Sequence, residues 1–297
     1  MKTEEMHRYD IVFVGHVAAG EIEPFQGEPE YVYGGAPFFG AMAAAPLGKR
    51  LLVITRMAQA DHTPLESLRS AGIDVYVQPA GETSRMRVIY PTANVDERRL
   101  FLVASAGFFR IEEMPPVEPC LVQLGGLSDQ EFTLDFMEAL KGRGFRLSVD
   151  MQSFVWRLDQ TSKKIHYRDV PEKRDIFRMA DCVKLDVNEA RCLTGTDDLF
   201  TAAEMLDGWG SRETVITRAD GVLARREGKN YFERFCNRSI QGRTGRGDTL
   251  IGAYLARRLD RSVQESLRFA AVLTSIKMEA QGPFKGTLAE VLERDMA

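Results

Sequence analysis

Cysteine, histidine and tryptophan are scarce in this chain of 297 residues, which holds four, four and two of them. The cysteines fall at 120, 182, 192 and 236, with no CxxC pair and no histidine spaced to complete a zinc site. A zinc module and a disulfide scaffold are therefore excluded, and the thiols read as reduced and buried. No apolar run approaches the roughly eighteen residues needed to cross a bilayer. The start MKTEEMHRYD carries acids where a secretion signal has its hydrophobic run, so a cytoplasmic location is the expectation. Positive charge is not in excess either: 39 basic against 43 acidic side chains leave a net charge of -4. No global field would hold nucleic acid or an anionic membrane, although a local basic pocket is allowed. Internal repeats, low-complexity tracts and linkers rich in Pro, Gly or Ser are missing too, so 1–297 reads as a single domain.

What is present is a large supply of core. Apolar residues make up 44% of the chain and alternate between short β-branched runs and longer helical patterns. Strands are expected at 10–14, 51–55, 121–124, 146–150, 183–185 and 214–217, and helices at 36–47, 64–70, 132–141, 188–193 and 202–209. Runs such as IVFV and LLVI fit strands buried on both faces. The fold class is α/β, a doubly wound, mostly parallel sheet flanked by helices. Two segments break the alternation. Residues 84–104 hold two β-rich runs around a polar turn at 92–99, and 21–33 (EIEPFQGEPEYVY) is also strand-like. Together they form a small sheet at one edge, read either as ordinary surface hairpins or as a β lid, which can also serve as a homodimer interface.

The most informative stretch is QGRTGRGDTLIGAYLARRL, residues 241–259. Gly245 and Gly247 flank Arg246 directly before a helix whose apolar face is Leu250, Ile251, Tyr254 and Leu255. Such a loop points backbone N–H groups at one spot, and the helix dipole adds about half a positive charge there. Asp248 by itself fits an N-cap. Glycines, a cation and a carboxylate within four residues fit phosphoryl transfer to an alcohol better, because that reaction needs donors for the phosphoryl oxygens and a base for the hydroxyl proton. The spacing is neither that of a Walker loop nor GxGxxG.

This stretch resembles the C-terminal signature of the ribokinase (PfkB) carbohydrate kinases, approximately DTTGAGD. Thr244, Gly245, Gly247, Asp248 and Thr249 match it, while Gly242, Arg243 and Arg246 replace its first Asp, its first Thr and its Ala. The resemblance implies a ribokinase-like fold, Asp248 as catalytic base, the backbone of Gly245, Arg246, Gly247 and Asp248 as anion hole, and Arg246 as an added cation. Further marks follow the family's order. Gly34 and Gly35 in YGGAP resemble its di-glycine, and Asp186-Val187-Asn188-Glu189 its NxxE segment, with Asp186 where Asn is usual. That segment implies Mg2+ held by Glu189 and Asp186 through water. Glu213 to Gly221 resembles the strand and turn that border ATP, implying contacts from Thr217 and Gly221, and 270–284 resembles the final helix and GP turn, part of which flanks adenine.

The departures bear on the acceptor. Gly20 stands where sugar kinases of the family carry an Asp, and Phe38 and Phe39 follow the di-glycine where polar groups are usual, so ribose or fructose readout is not expected. Asp150, Gln152 and Arg157 resemble the DxQGFxR stretch of inositol-kinase-like members and imply polyol recognition. Arg85 and Arg87 alternate on one face of the hairpin, either over the ligand or simply in solvent, and His16 reads as a structural hydrogen bonder. The leading expectation is an ATP-dependent kinase of a small polyol or sugar, with a myo-inositol-like acceptor. The alternatives are a nucleoside kinase, with the two phenylalanines stacking a base, and an inactive ligand-binding relative.

Overall fold

The computed structural model describes residues 6–92 and 98–296. In chain order its strands are β1 (Ile11–Val14), β2 (Ala18–Glu23), β3 (Glu30–Gly34), β4 (Leu51–Met57), β5 (Asp74–Pro79), β6 (Arg85–Ile89), β7 (Arg99–Ala104), β8 (Leu121–Leu124), β9 (Arg146–Asp150), β10 (Trp156–Leu158), β11 (Ile165–Tyr167), β12 (Cys182–Asp186), β13 (Glu213–Thr217), β14 (Gly221–Arg226) and β15 (Lys229–Arg234). Nine of them form one sheet in the order β15-β14-β13-β12-β9-β8-β1-β4-β5. All neighbours from β13 to β5 run parallel; the β13-β14-β15 edge is antiparallel. Every residue of β1 and β8 is buried, because each face of the sheet carries its own apolar cluster under helices.

The expected strands at 121–124 and 146–150 coincide with β8 and β9. β5 and the β14–β15 hairpin were not expected. The edge strands β5 and β15, DVYVQP and KNYFER, dilute their apolar residues because they are half solvated, while β14 between β13 and β15 is buried over Gly221–Ala224 but short in apolar run. The helix expected over 36–47 is α-helical over Ala36–Ala44 and continues as a 3-10 turn, Ala45–Leu47, where Pro46 removes an amide donor. The helix expected at 202–209 starts earlier, at Leu199, capped by the Asp198 carboxylate.

A second sheet has the order β3-β2-β6-β7 and is built from the two segments that break the alternation. The connecting turn expected at 92–99 lies mostly outside the described residues. β2 pairs with β3 and β6 with β7 as antiparallel hairpins, and β2 joins β6 in parallel. Among the described residues no helix is long and apolar enough to cross a membrane.

Helix Arg246–Arg258 packs against helix Ala36–Ala44 with almost no side chain between them. A Cβ on Gly252 would lie 2.1 Å from the Gly40 carbonyl oxygen. That close approach sets the start of the first helix beside the di-glycine. The boundary also needs correction: the helix begins at Arg246, so Gly247 and Asp248 belong to its first turn rather than to the loop before it. Gly245 is the N-cap at φ 75°, a left-handed backbone that glycine adopts without strain.

Candidate active site

A cavity of about 450 Å³ opens between the carboxyl ends of the large sheet and the inner face of the small one. Residues 243–248 line one end, together with Lys184, Asp186, Thr217 and Arg218. The rest of the lining is more apolar, with Met86, Val88, Leu100 and Trp156 interrupted by Tyr90, Gln152 and Arg98, whose charge also interacts with Asp186.

The loop is shaped from behind. Lys277, near the end of helix Val263–Met278, donates from Nζ to the carbonyl of Gly242 at 2.6 Å and to that of Thr244. Carbonyls turned onto that ammonium leave the cavity to the first-turn amides of the following helix, which have no intrahelical acceptor. Gly242, where the related signature has Asp, is forced by contact: a Cβ there would fall 1.8 Å from the Ala280 carbonyl oxygen. Phe39 supports the loop from below, since a Cβ on Gly245 would lie 2.4 Å from its ring. Lys277 Nζ sits 5.2 Å from the same ring centre.

Asp248 faces this cavity from the helix start. Burial pushes its carboxyl up to about 6, a rise opposed by Lys184 and Lys277. Burial also brings Lys277 down to about 8. Lys184 points up from β12 and donates to Asp150 Oδ2 at 2.9 Å. Burial disfavours its charge, but Asp150, Glu189 and Asp248 outweigh that and hold it as an ammonium. A base able to take a proton near neutral pH thus stands among cations and helix amides, the parts in-line phosphoryl transfer requires.

Of the residues singled out in the sequence, Gly34, Gly35, Phe39, Gln152, Asp186, Thr217, Thr244, Gly245, Arg246, Gly247 and Asp248 all line this cavity. Four lie elsewhere. Asp150 is buried beneath Lys184, and Arg157 pairs with Asp129 at 3.4 Å. Glu189 lies behind Asp186 in a capping box at the start of helix Val187–Thr194, and Gly221 begins β14 against Phe232 and Glu233. Arg85 and Arg87 take the other face of β6: Met86 and Val88 line the cavity, while Arg87 pairs with Glu23. Residues 270–284 contribute nothing to the lining among the described residues, and Ala280 backs the loop instead.

Sequence reading missed Lys184, Lys277, Arg218, Arg243, Arg98 and Tyr90. One signal was available, since Lys184 is a charged residue inside CVKLD, a run that otherwise reads as a buried strand. Arg98 reaches over the Trp156 ring at 5.6 Å, a contact between distant segments that no local pattern encodes.

Comparison with known proteins agrees with this fold. Residues 9–287 match the model of the pfkB family carbohydrate kinases. The structure superposes on a pyrophosphate-dependent kinase of the ribokinase family, solved with a pyrophosphate analogue and myo-inositol, with a TM-score of 0.87, 31% identity and coverage of 95% of this chain and 99% of that one. A sulfate complex of a pyrophosphate-dependent kinase of that family gives a TM-score of 0.88 at 32% identity, covering 96% and 99%. A cytidine kinase of Thermococcus kodakarensis is 28% identical over 269 residues, which is 83% of this chain and 87% of that protein. By sequence over residues 9–287 and by fold, the chain belongs to the PfkB family of carbohydrate kinases, phosphotransferases that act on an alcohol.

Proposed function

We propose that the protein transfers a phosphoryl group to a hydroxyl of a small polyol of the myo-inositol type, with pyrophosphate rather than ATP as donor. The observation that carries the donor is the group of cations around the loop: Arg243, Arg246 and Lys184 line the cavity together with Arg218, whose guanidinium is also held by Asp220. A donor made only of phosphate fits that charge, and guanidinium groups bind phosphate oxygens in pairs. Of the two segments expected to border a nucleotide, one reaches the cavity through Thr217, Arg218 and Ala219 while its Gly221 is packed against β15, and the other, 270–284, does not line the cavity and supports the loop from behind. The cation-lined end and the distant 270–284 segment favour pyrophosphate over the expected ATP.

Asp248 would take the acceptor's hydroxyl proton as that oxygen attacks the terminal phosphorus, forming the polyol phosphate and releasing inorganic phosphate. The amides of the first helical turn and the Lys184 ammonium would receive the charge on the transferring group. Magnesium fits beside them. Glu189 Oε1 is buried with no hydrogen-bond partner among the described residues, directly behind the cavity-lining Asp186. Glu189 and Asp186 would hold the ion through water, since among the described residues no three acidic, histidine or cysteine side chains converge. Bound there, it would neutralise donor charge.

On the acceptor side the small sheet is read as a lid, with Tyr90, Arg98 and Gln152 offering hydrogen bonds over an apolar bed. A nucleoside is less well served. Phe39 is engaged beneath the loop and edge-on to Phe38 at 5.7 Å, so neither ring presents a free face to a base. Incubation with pyrophosphate or ATP and a panel of polyols, sugars and nucleosides, read by phosphorus NMR, tests the proposal. The expected product is a polyol monophosphate formed with pyrophosphate. Phosphorylation only with ATP, or only of nucleosides, would overturn it.

A further inference from the structure

The chain passes between the two sheets four times: at 15–17 between β1 and β2, at Gly35 after β3, at 80–84 before β6, and at 105–107 after β7. All four passages meet at one residue, which reaches the second through its backbone and the third and fourth through its imidazole. His16 lies in the first. Its carbonyl oxygen packs so closely on the second that a Cβ at Gly35 would sit 2.1 Å from it. Its Nδ1 is 2.7 Å from Ser84 Oγ in the third, and its Nε2 is 3.0 Å from the Gly107 carbonyl oxygen in the fourth. The residue is 1% exposed.

The proton positions follow from the partners. A carbonyl can only accept, so Nε2 carries the ring proton and donates to Gly107, which leaves Nδ1 to accept from the Ser84 hydroxyl. Ser84 Oγ in turn accepts from the Ala106 amide at 2.9 Å, which closes the third passage onto the fourth. The His16 amide donates to Glu131 Oε2 at 2.9 Å, and Glu131 Oε1 accepts from the Leu127 amide at 2.5 Å, tying the cluster to the large sheet beyond β8. Burial brings the imidazole down to about 3, so it stays neutral and this one-way chain of donors is kept.

The strands that leave this junction carry the acceptor wall. Ala18, Ala19 and Ile22 of β2, Met86 and Val88 of β6, and Leu100 of β7 all line the cavity. Rotation about the junction by a few degrees would move those side chains relative to Gln152 and Asp248, which belong to the large sheet's side. We infer that His16 is a positioning residue that ties the four passages together and so fixes the lid over the acceptor end of the cavity. The residue touches no reacting atom; it acts through the placement of the lid strands. Only the kinetic half of the test rests on the proposed phosphotransfer, because lid motion can be followed without substrate.

The test compares wild type, His16→Ala and His16→Asn by hydrogen exchange of the free protein and by steady-state kinetics. In His16→Ala, amides of β2, β6 and β7 should exchange about tenfold faster while β1, β8 and β9 keep their protection. The acceptor KM should rise about tenfold, with the donor KM changed less than about twofold. His16→Asn places an oxygen where Nδ1 accepts from Ser84 and should recover part of both effects. Lid exchange equal to wild type in His16→Ala would overturn the inference. So would a loosening that spreads evenly through β1, β8 and β9, or a donor KM that rises as much as the acceptor KM. Should His16→Ala fail to fold, Ser84→Ala removes only the hydroxyl. It should speed lid exchange in the same direction by a smaller factor, and unchanged lid exchange there would overturn the inference. Faster lid exchange without phosphorylation of any acceptor would leave the inference standing and reject the proposed function.

Discussion

Lys184 Nζ lies 2.9 Å from Asp150 Oδ2 in a buried ion pair, and the same ammonium would stand 2.9 Å from a Cβ on Gly247 at the start of the site helix. The strand residue Asp150 therefore meets the anion loop through Lys184 rather than through substrate. Breaking such a pair leaves one buried charge without a partner. Lys184→Met should destabilise the fold by about 3–5 kcal/mol, and the double variant with Asp150→Asn should recover more than half of that loss. Urea unfolding of the single and double variants measures both.

Glycines near the site divide into two kinds. At Gly247 an added methyl meets only the flexible end of Lys184, so Gly247→Ala should cost less than about 1 kcal/mol while raising the donor KM about tenfold through the displaced ammonium. At Gly252 the methyl meets the Gly40 backbone oxygen at 2.1 Å, where nothing can yield without parting two helices. Gly252→Ala should lose about 3 kcal/mol or more in thermal or urea unfolding.

The rate should depend on pH through Asp248. Its carboxyl titrates near 6 in the folded protein and works as a base only when ionised. kcat/KM should therefore be level above about pH 7 and fall about tenfold for each unit below 6. A profile flat down to pH 4.5 would show that no group with this ionisation takes the proton.

Much of the site was legible before any coordinates. Gly245, Gly247 and Asp248 announce themselves because glycines, a cation and an acid before an amphipathic helix are few and close in sequence. The residues that shape the loop were not legible. Lys277 acts on carbonyls at Gly242 and Thr244, more than thirty positions away, and its own helix reads as plain core. Asp150 and Arg157 stand in a polar motif that suggests ligand contact, yet one supports Lys184 and the other pairs with Asp129, because the chain turns at helix Gln152–Val155 and presents Gln152 and Trp156 to the cavity instead. The fold itself was clearer at its centre than at its edges, since fully buried strands carry continuous apolar runs and the half-solvated edge strands β5 and β15 do not.

In the proposed reading Arg246 meets the donor phosphates. It lines the cavity within the first helical turn, with its guanidinium 5.8 Å from the Phe235 ring centre. Arg246→Ala should raise the pyrophosphate KM about tenfold or more, while the acceptor KM stays within about twofold. An acceptor KM that rises instead would move this arginine to the other end of the cavity.

The most direct measurement is the turnover of Asp248→Asn with pyrophosphate and myo-inositol, set beside pyrophosphate binding to the same variant by calorimetry. Loss of a general base should lower kcat by about 10²–10⁴ while the donor still binds within a few fold of wild type. Turnover equal to that of the unaltered protein would contradict the account at its centre.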